Sequence, residues 1–325
     1  MTDVHGYHGQ PILKAPTWTW EIPCYFYAGG MAGASAGLAY LSELSGNEVL
    51  ARRAWAAAML GIGVSPALLT SDLGRPLRFL NMLRMFKVTS PMSVGSWILT
   101  ASGATTVLAA ASTWTGRFPR AGKAARPAAA ALGLPLSTYT AALLANTAVP
   151  VWHESRRSLP FVFAAGAALS AGAAGVIAAP PEHAAPARRL ALASAALEVG
   201  LKELMEHRLG DHGEPYRQGA ASKLGRIGQL CIATGAGLLA ARGDRSRGAA
   251  VAGGALLSAG ALSARWSVYK AGFQSAANPK YVVGPQRAGI EQGERRGAAR
   301  HESYVRDPEL ALGSPATAPQ ELFAS

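Results

Sequence analysis

Ser71-Asp72-Leu73-Gly74-Arg75-Pro76-Leu77-Arg78-Phe79-Leu80-Asn81-Met82-Leu83-Arg84-Met85-Phe86-Lys87 places five charged residues between two long apolar runs, residues 49–70 and 91–113. Each run has the roughly 20 residues needed to cross a hydrocarbon core about 30 Å thick. A loop this charged between two spans lies at a membrane face. An aspartate followed by a Gly-x-Pro turn and three spaced arginines, Arg75, Arg78 and Arg84, reads as a surface that holds something anionic.

The same pattern continues along the chain. Half of the 325 residues are apolar and 15% are charged, against about 25% charged in an ordinary soluble protein. The missing charge is concentrated in stretches long enough to be spans, and eight are expected: 22–43, 49–70, 91–113, 128–150, 159–179, 186–207, 222–241 and 248–269. The expected fold is therefore all-α and polytopic, with about eight transmembrane helices. The spans favour Ala and Gly over Leu, which lets helix backbones approach closely where lipid gives no hydrophobic drive to association. Gly29, Gly33 and Gly37 recur at that spacing in the first span, and helix packing is their expected role.

Three segments follow: residues 1–20 outside the membrane, a membrane domain over 21–270, and a polar tail over 271–325. No apolar stretch of a cleavable signal precedes the first span. The tail is rich in Gly, Pro, Ala and charge and is nearly neutral, with six basic and six acidic residues. It reads as disordered, or as an arm ordered by a partner subunit.

Side A denotes the face carrying the loops near 71–90, 151–158 and 208–221, and side B the opposite face. Side B loops hold eleven basic residues with few acids: Arg52, Arg53, Arg117, Arg120, Lys123, Arg126, Arg188, Arg189, Arg242, Arg245 and Arg247. Side A has a similar number, most of them in the dense 75–87 segment. The positive-inside rule then favours side B as cytoplasmic. The net charge of +12 sits mainly in membrane loops, so nucleic acid is not an expected partner.

Several chemistries are excluded. Cys24 and Cys231 are the only cysteines, too few for an iron–sulfur cluster held by this chain alone; both read as small core residues. None of the seven histidines lies in the middle of a span, so facing axial ligands for a haem are missing. There is no phosphate-binding Gly-rich loop, nucleophile elbow or zinc-helix motif. No catalytic residue and no metal site is assigned.

Polar groups at or inside the membrane remain, and such groups are functional candidates. Trp18, Trp20, Glu21, Tyr25 and Tyr27 gather at the side A end of the first span, either as an interfacial aromatic belt or as ligand contacts. Tyr139 is expected near the middle of the fourth span, where its hydroxyl needs a partner, in the core or on a ligand. Trp152-His153-Glu154 follows on side A. In the sixth span Glu198 and Lys202 are spaced to pair on one helix face, with Glu203, Glu206 and His207 beyond. This is either a buried structural ion pair or a proton-carrying chain of acids. Arg265 is placed to snorkel toward side A.

The stretch Ser71 to Arg84, with Thr89-Ser90-Pro91-Met92-Ser93-Val94-Gly95-Ser96-Trp97, strongly resembles the NrfD/polysulfide reductase family of membrane subunits. Gly29-Gly30-Met31-Ala32-Gly33, Leu134-Pro135-Leu136-Ser137-Thr138-Tyr139-Thr140 and Pro150-Val151-Trp152-His153-Glu154 fit the same family, and the likeness covers residues 18–270. The resemblance implies two four-helix bundles and a site for a quinone, menaquinone or ubiquinone, near the face that meets an iron–sulfur subunit. It implies no haem or iron–sulfur cluster in this chain. The implied partners are a four-cluster ferredoxin-like subunit and a molybdopterin-type catalytic subunit, with electrons passing between the clusters and the quinone pool. Tyr139 matches the family's quinone-binding tyrosine. At the first-helix positions, where the family has an asparagine and a histidine, this chain has Ile22 and Tyr25, so Tyr25 or Glu21 would stand in, a phenol being able to donate to a quinone carbonyl.

The expected roles are then quinone contact for Tyr139, Tyr25 and Glu21. Proton relay or site mouth falls to Asp72, His153 and Glu203, and partner docking to Arg75, Arg78 and Arg84. The docking face would be extracytoplasmic on a multi-pass protein of the cytoplasmic membrane. Two other functions stay open: a purely structural anchor, and a secondary transporter or ion pathway built on Glu198, Lys202 and Glu203.

Overall fold

A computed structural model describes residues 13–73, 75 and 78–283; the side chains of Arg78 and Phe79 are outside the described part. Among the described residues the chain is all-α, with no strand. Eight helices have 20 residues or more: α1 (Glu21–Leu44), α2 (Glu48–Asp72), α4 (Pro91–Thr115), α5 (Pro119–Ala145), α7 (Leu159–Ala178), α8 (Ala185–Leu209), α10 (Gly219–Arg242) and α11 (Arg247–Ala277). Three short helices, α3 (Arg78–Arg84), α6 (Pro150–Glu154) and α9 (Glu214–Arg217), lie in the side A connections.

Five of the long helices, α2, α4, α5, α7 and α10, are apolar enough to cross a membrane by length and composition. The other three are long enough but more polar, and part of that polarity, Glu198, Lys202 and Arg265, is buried. In α1, 15 of 24 residues are buried, which marks it as the central helix rather than a lipid-facing one.

Local signals fix several ends. Asn47 caps α2, its side chain accepting from Leu50 N at 3.1 Å. Ser90 caps α4 by accepting from Ser93 N, with Pro91 at the first helical position, where its missing N–H costs nothing. The Ser-Pro-Met-Ser run is thus a helix start. Ser93 Oγ also donates to Met85 O and accepts from Lys87 N, each at 3.1 Å, and so ties down the end of the charged loop. At the side B end of α7, Arg247 donates to Val176 O, Ile177 O and Ala179 O, a cation on the negative end of the helix dipole.

The fourth expected span shifts most. α5 begins at Pro119, nine residues before the expected 128, and ends at Ala145 rather than 150. Its first turns hold Arg120, Lys123 and Arg126, so the helix runs on past its apolar stretch. The extended backbone of Val149, expected of a residue preceding proline, separates it from α6. Tyr139 therefore stands six residues from the side A end and not mid-span. At the other end of the chain, α11 runs seven residues past the expected boundary at 270.

The helices form two rings of four. In the first, α1 packs on α2, α2 on α4, α4 on α5 and α5 on α1; in the second, α7 packs on α8, α8 on α10, α10 on α11 and α11 on α7. The rings meet where α7 packs on α1, α2 and α5. The crossing of α1 and α5 is backbone on backbone: a Cβ at Gly33 would lie 2.4 Å from Gly133 O, and one at Gly133 would lie 2.2 Å from Gly33 O. Gly33 does what the small-residue spacing implies. Gly37 does not, as its missing side chain faces open space.

Residues 13–277 make one compact unit. Asn278 begins a second, of which a single turn is described, with Val283 N bonded to Pro279 O at 2.8 Å. The tail beyond 283 and residues 1–12 lie outside the described residues.

Candidate functional site

The side A end of the first ring opens into a narrow cleft of about 40 Å³. Its walls are mostly apolar: Ile22 and Phe26 from α1, Leu69 and Leu73 from the end of α2, and Leu143 from α5. Met82 of α3 and Met92 of α4 close over it, so the charged loop supplies part of the roof. The polar groups are few. They are Tyr25, Tyr139, Asp72 and Ser96, with Trp18 at the rim.

Tyr25 is 1% exposed, and its hydroxyl has no hydrogen-bond partner among the described residues. Leaving a buried donor unmatched costs about 1–3 kcal/mol. Its ring meets that of Tyr139 edge-on, with centroids 6.5 Å apart. Tyr139 fits because α4 has no side chain at Gly95, where a Cβ would lie 2.2 Å from Tyr139 Cε2.

At the mouth, Asp72 Oδ1 accepts from Thr19 N at 3.0 Å and from Thr19 Oγ1 at 2.7 Å. The same hydroxyl is within hydrogen-bonding reach of Glu21 Oε2. It has one proton to give, so two carboxylates converge on one donor. Glu21 sits at this mouth and not on the cleft wall. Trp18 is held in place by stacking on buried Trp152, with centroids 5.4 Å apart, and by Tyr269 Oη donating to Trp18 O at 2.5 Å. Trp152 Nε1 donates in turn to Val268 O at 2.8 Å. Of the aromatic cluster at the start of α1, Trp20 alone behaves as an interfacial belt residue, at 58% exposure.

The other expected site residues are elsewhere. His153 is exposed and its Nδ1 contacts Ala145 O at 3.2 Å, outside the cleft; α6 turns it away while burying its neighbour Trp152. Glu203 is exposed on α8, in the other ring. Neither is brought to Tyr25 and Tyr139. Arg75 and Arg84 are exposed on side A, and Arg78 opens α3. Exposed Leu80, Met85, Phe86 and Val88 lie along the same loop. Cys24 and Cys231 are half-buried and free rather than core residues.

Two polar centres differ from the sequence expectation. Arg265 does not snorkel: it is 2% exposed, donates to Phe163 O at 2.8 Å and lies 4.1 Å over the Phe163 ring. Lys202 pairs with Glu206 at 2.6 Å rather than with Glu198, both pairings being one helical turn. Beside Glu206, in the connection to α10, Tyr216 is buried, and burial together with the Glu206 charge pushes its phenol up, partly offset by Ser155. The second centre was missed altogether. At the side B end of the first ring, Glu43 of α1 accepts from Trp55 Nε1 of α2 at 2.8 Å and from Thr113 Oγ1 of α4 at 3.2 Å. It also pairs with Arg126 of α5 at 3.5 Å. The one signal in the sequence is a lone acid at the end of an otherwise uncharged run. Among the described residues no group of three or more His, Cys, Asp or Glu is arranged to hold a metal.

The sequence matches the family described as polysulfide reductase, of NrfD type, over residues 1–278. No curated protein matches it.

Proposed function

The chain belongs to the polysulfide reductase family of membrane-embedded redox-complex subunits, and from that premise we propose that it binds quinone or quinol in the cleft beneath the charged loop. In this role it passes electrons between an iron–sulfur subunit and the quinone pool. The observation that carries the reading is the Tyr25 hydroxyl, buried and unpartnered at the wall of an apolar cleft. A ligand with an apolar body and a hydrogen-bond acceptor relieves that cost, and a quinone carbonyl is such an acceptor.

A bound quinone supplies two-electron, two-proton chemistry, which is its own and not the protein's. The protein's residues position and exchange. Ile22, Phe26, Leu69 and Leu143 exclude water from the ring. Tyr25 donates to one carbonyl oxygen, and Tyr139, braced at Gly95, faces the same space. Asp72 and Glu21, sharing the Thr19 hydroxyl, stand where protons enter or leave between the cleft and side A.

The partner docks on side A in this reading. Arg75, Arg78 and Arg84 supply charge beside the exposed apolar residues of the same loop, a mixture suited to an acidic iron–sulfur subunit of the ferredoxin-like type bearing a molybdopterin-type catalytic subunit. Side A is then the extracytoplasmic face of the cytoplasmic membrane.

The experiment is quinol turnover by the intact complex carrying Tyr25→Phe or Tyr139→Phe. Each loses turnover while the complex still assembles. Full turnover in both variants, with assembly intact, removes the cleft from the reaction.

A further inference from the structure

The second ring holds ionisable side chains that the cleft does not use. Glu198 on α8 is 1% exposed, Lys202 one turn on is 6% exposed, and Arg265 on α11 faces them at 2%. Taking such ions out of water is costly unless each is met. Arg265 is met by Phe163, through its carbonyl and ring, and Lys202 by Glu206. Glu198 is the exception: neither carboxylate oxygen has a hydrogen-bond partner among the described residues.

The surrounding helices make room for these groups. A Cβ on Gly166 of α7 would lie 2.6 Å from Glu198 Oε1 and 2.5 Å from Arg265 Nη2, and one on Gly225 of α10 would lie 3.2 Å from Lys202 Nζ. The charges acting on Glu198 are Arg265 of α11 and Lys202 of α8, while α7 offers it a glycine. The polar trail is open at one end. Toward side A it runs from Glu198 to Lys202 and on to Glu206, which is partly exposed. Toward side B the buried positions of α8 are Ala195, Ser194, Ala191 and Ala187, with no ionisable group.

A buried carboxylate with both oxygens open needs water or a proton. We propose that Glu198 is a proton-exchange site, reached from side A through Glu206 and Lys202 and distinct from the cleft. A water entering between them carries one proton from the Lys202 ammonium to the Glu198 carboxylate, leaving a carboxylic acid and a neutral amine. A hydronium from side A protonates the Glu206 carboxylate, and the resulting carboxyl group returns that proton to the amine, so that one proton is taken up in all. Release runs in reverse, and no electron moves. The proposal does not rest on quinone binding.

The test is infrared spectroscopy of the purified full-length chain in mild detergent, with neither partner nor quinone, as pH is lowered. The expected result is a protonated-carboxyl carbonyl band that shifts down in D2O and is lost in Glu198→Gln. It should persist at a shifted position in Glu198→Asp, and its hydrogen–deuterium exchange should slow in Glu206→Gln. Carboxyl bands identical in wild type and Glu198→Gln across the whole range in which the protein stays folded would overturn the assignment. So would a Glu198 band that exchanges only on global unfolding, which describes a sealed structural acid. If Glu198→Gln does not fold, the Glu206 comparison decides, since equal exchange in wild type and Glu206→Gln removes the route from side A.

Discussion

Gly95 is the position where one methyl group matters most to the candidate cleft. An added Cβ would lie 2.2 Å from the Tyr139 ring, and forced overpacking costs about 1–3 kcal/mol. Gly95→Ala is therefore expected to weaken binding of a quinone-analogue inhibitor by roughly tenfold or more, at about 1.4 kcal/mol per decade. Titration of the folded variant measures this, and wild-type affinity would show that the Tyr139 ring has slack. Residue by residue, the sequence was legible where type and place agree. A phenol inside an apolar helix marks itself, and Tyr25 and Tyr139 do line one cleft. It was illegible where direction decides. His153 and Trp152 are neighbours, yet one is exposed and the other buried. Arg265 reads as a snorkelling side chain until Phe163 is seen beneath it. Linear order does not say which way a side chain at a helix end turns.

Among the helices, Glu43 joins all four members of the first ring through one carboxylate. Glu43→Ala strands the Trp55 donor and the Arg126 charge, while Thr113 keeps its bond to Ala109 O, and a lost buried partner costs about 1–3 kcal/mol. The expected outcome is a lower Tm in detergent, while Glu154→Ala, exposed on side A, leaves it unchanged. The charged loop has its own fastening in Ser93. Ser93→Ala should release residues 85–88 to limited proteolysis without altering α4 itself, because Ser90 still caps it; equal cleavage in both proteins would show that the loop is held by other contacts. The positions of the long helices were readable from apolar runs because their ends coincide with Asn47, Ser90-Pro91 and similar signals. The start of α5 was not, because its first turns are basic and a span is sought by its apolar residues alone. The Glu43 hub was hidden for a related reason: its four contributors lie on four helices, and only packing brings them together.

For the molecule as a whole, the side A loop is expected to hold a partner largely by exposed charge. Such interactions are screened beyond about 8 Å at physiological ionic strength. Charge reversal at Arg75 and Arg84 together, or raised salt on the wild type, should therefore release the proposed iron–sulfur partner during co-purification; retention under both conditions would place the docking energy in Leu80, Met85 and Phe86 instead. The two rings are also joined by Trp18. It forms the rim of the cleft, yet its backbone oxygen is gripped by Tyr269 of α11 and its ring lies on Trp152, which is bonded to Val268. Tyr269 stands one helical turn from Arg265. The rim thus works as a lever whose short arm ends in the cleft and whose fulcrum is the same turn of α11 that holds the guanidinium facing Glu198. Displacement of Trp18 by a guest is expected to strain that turn, and Tyr269→Phe would remove one of its two ties to α11, leaving the one through Trp152.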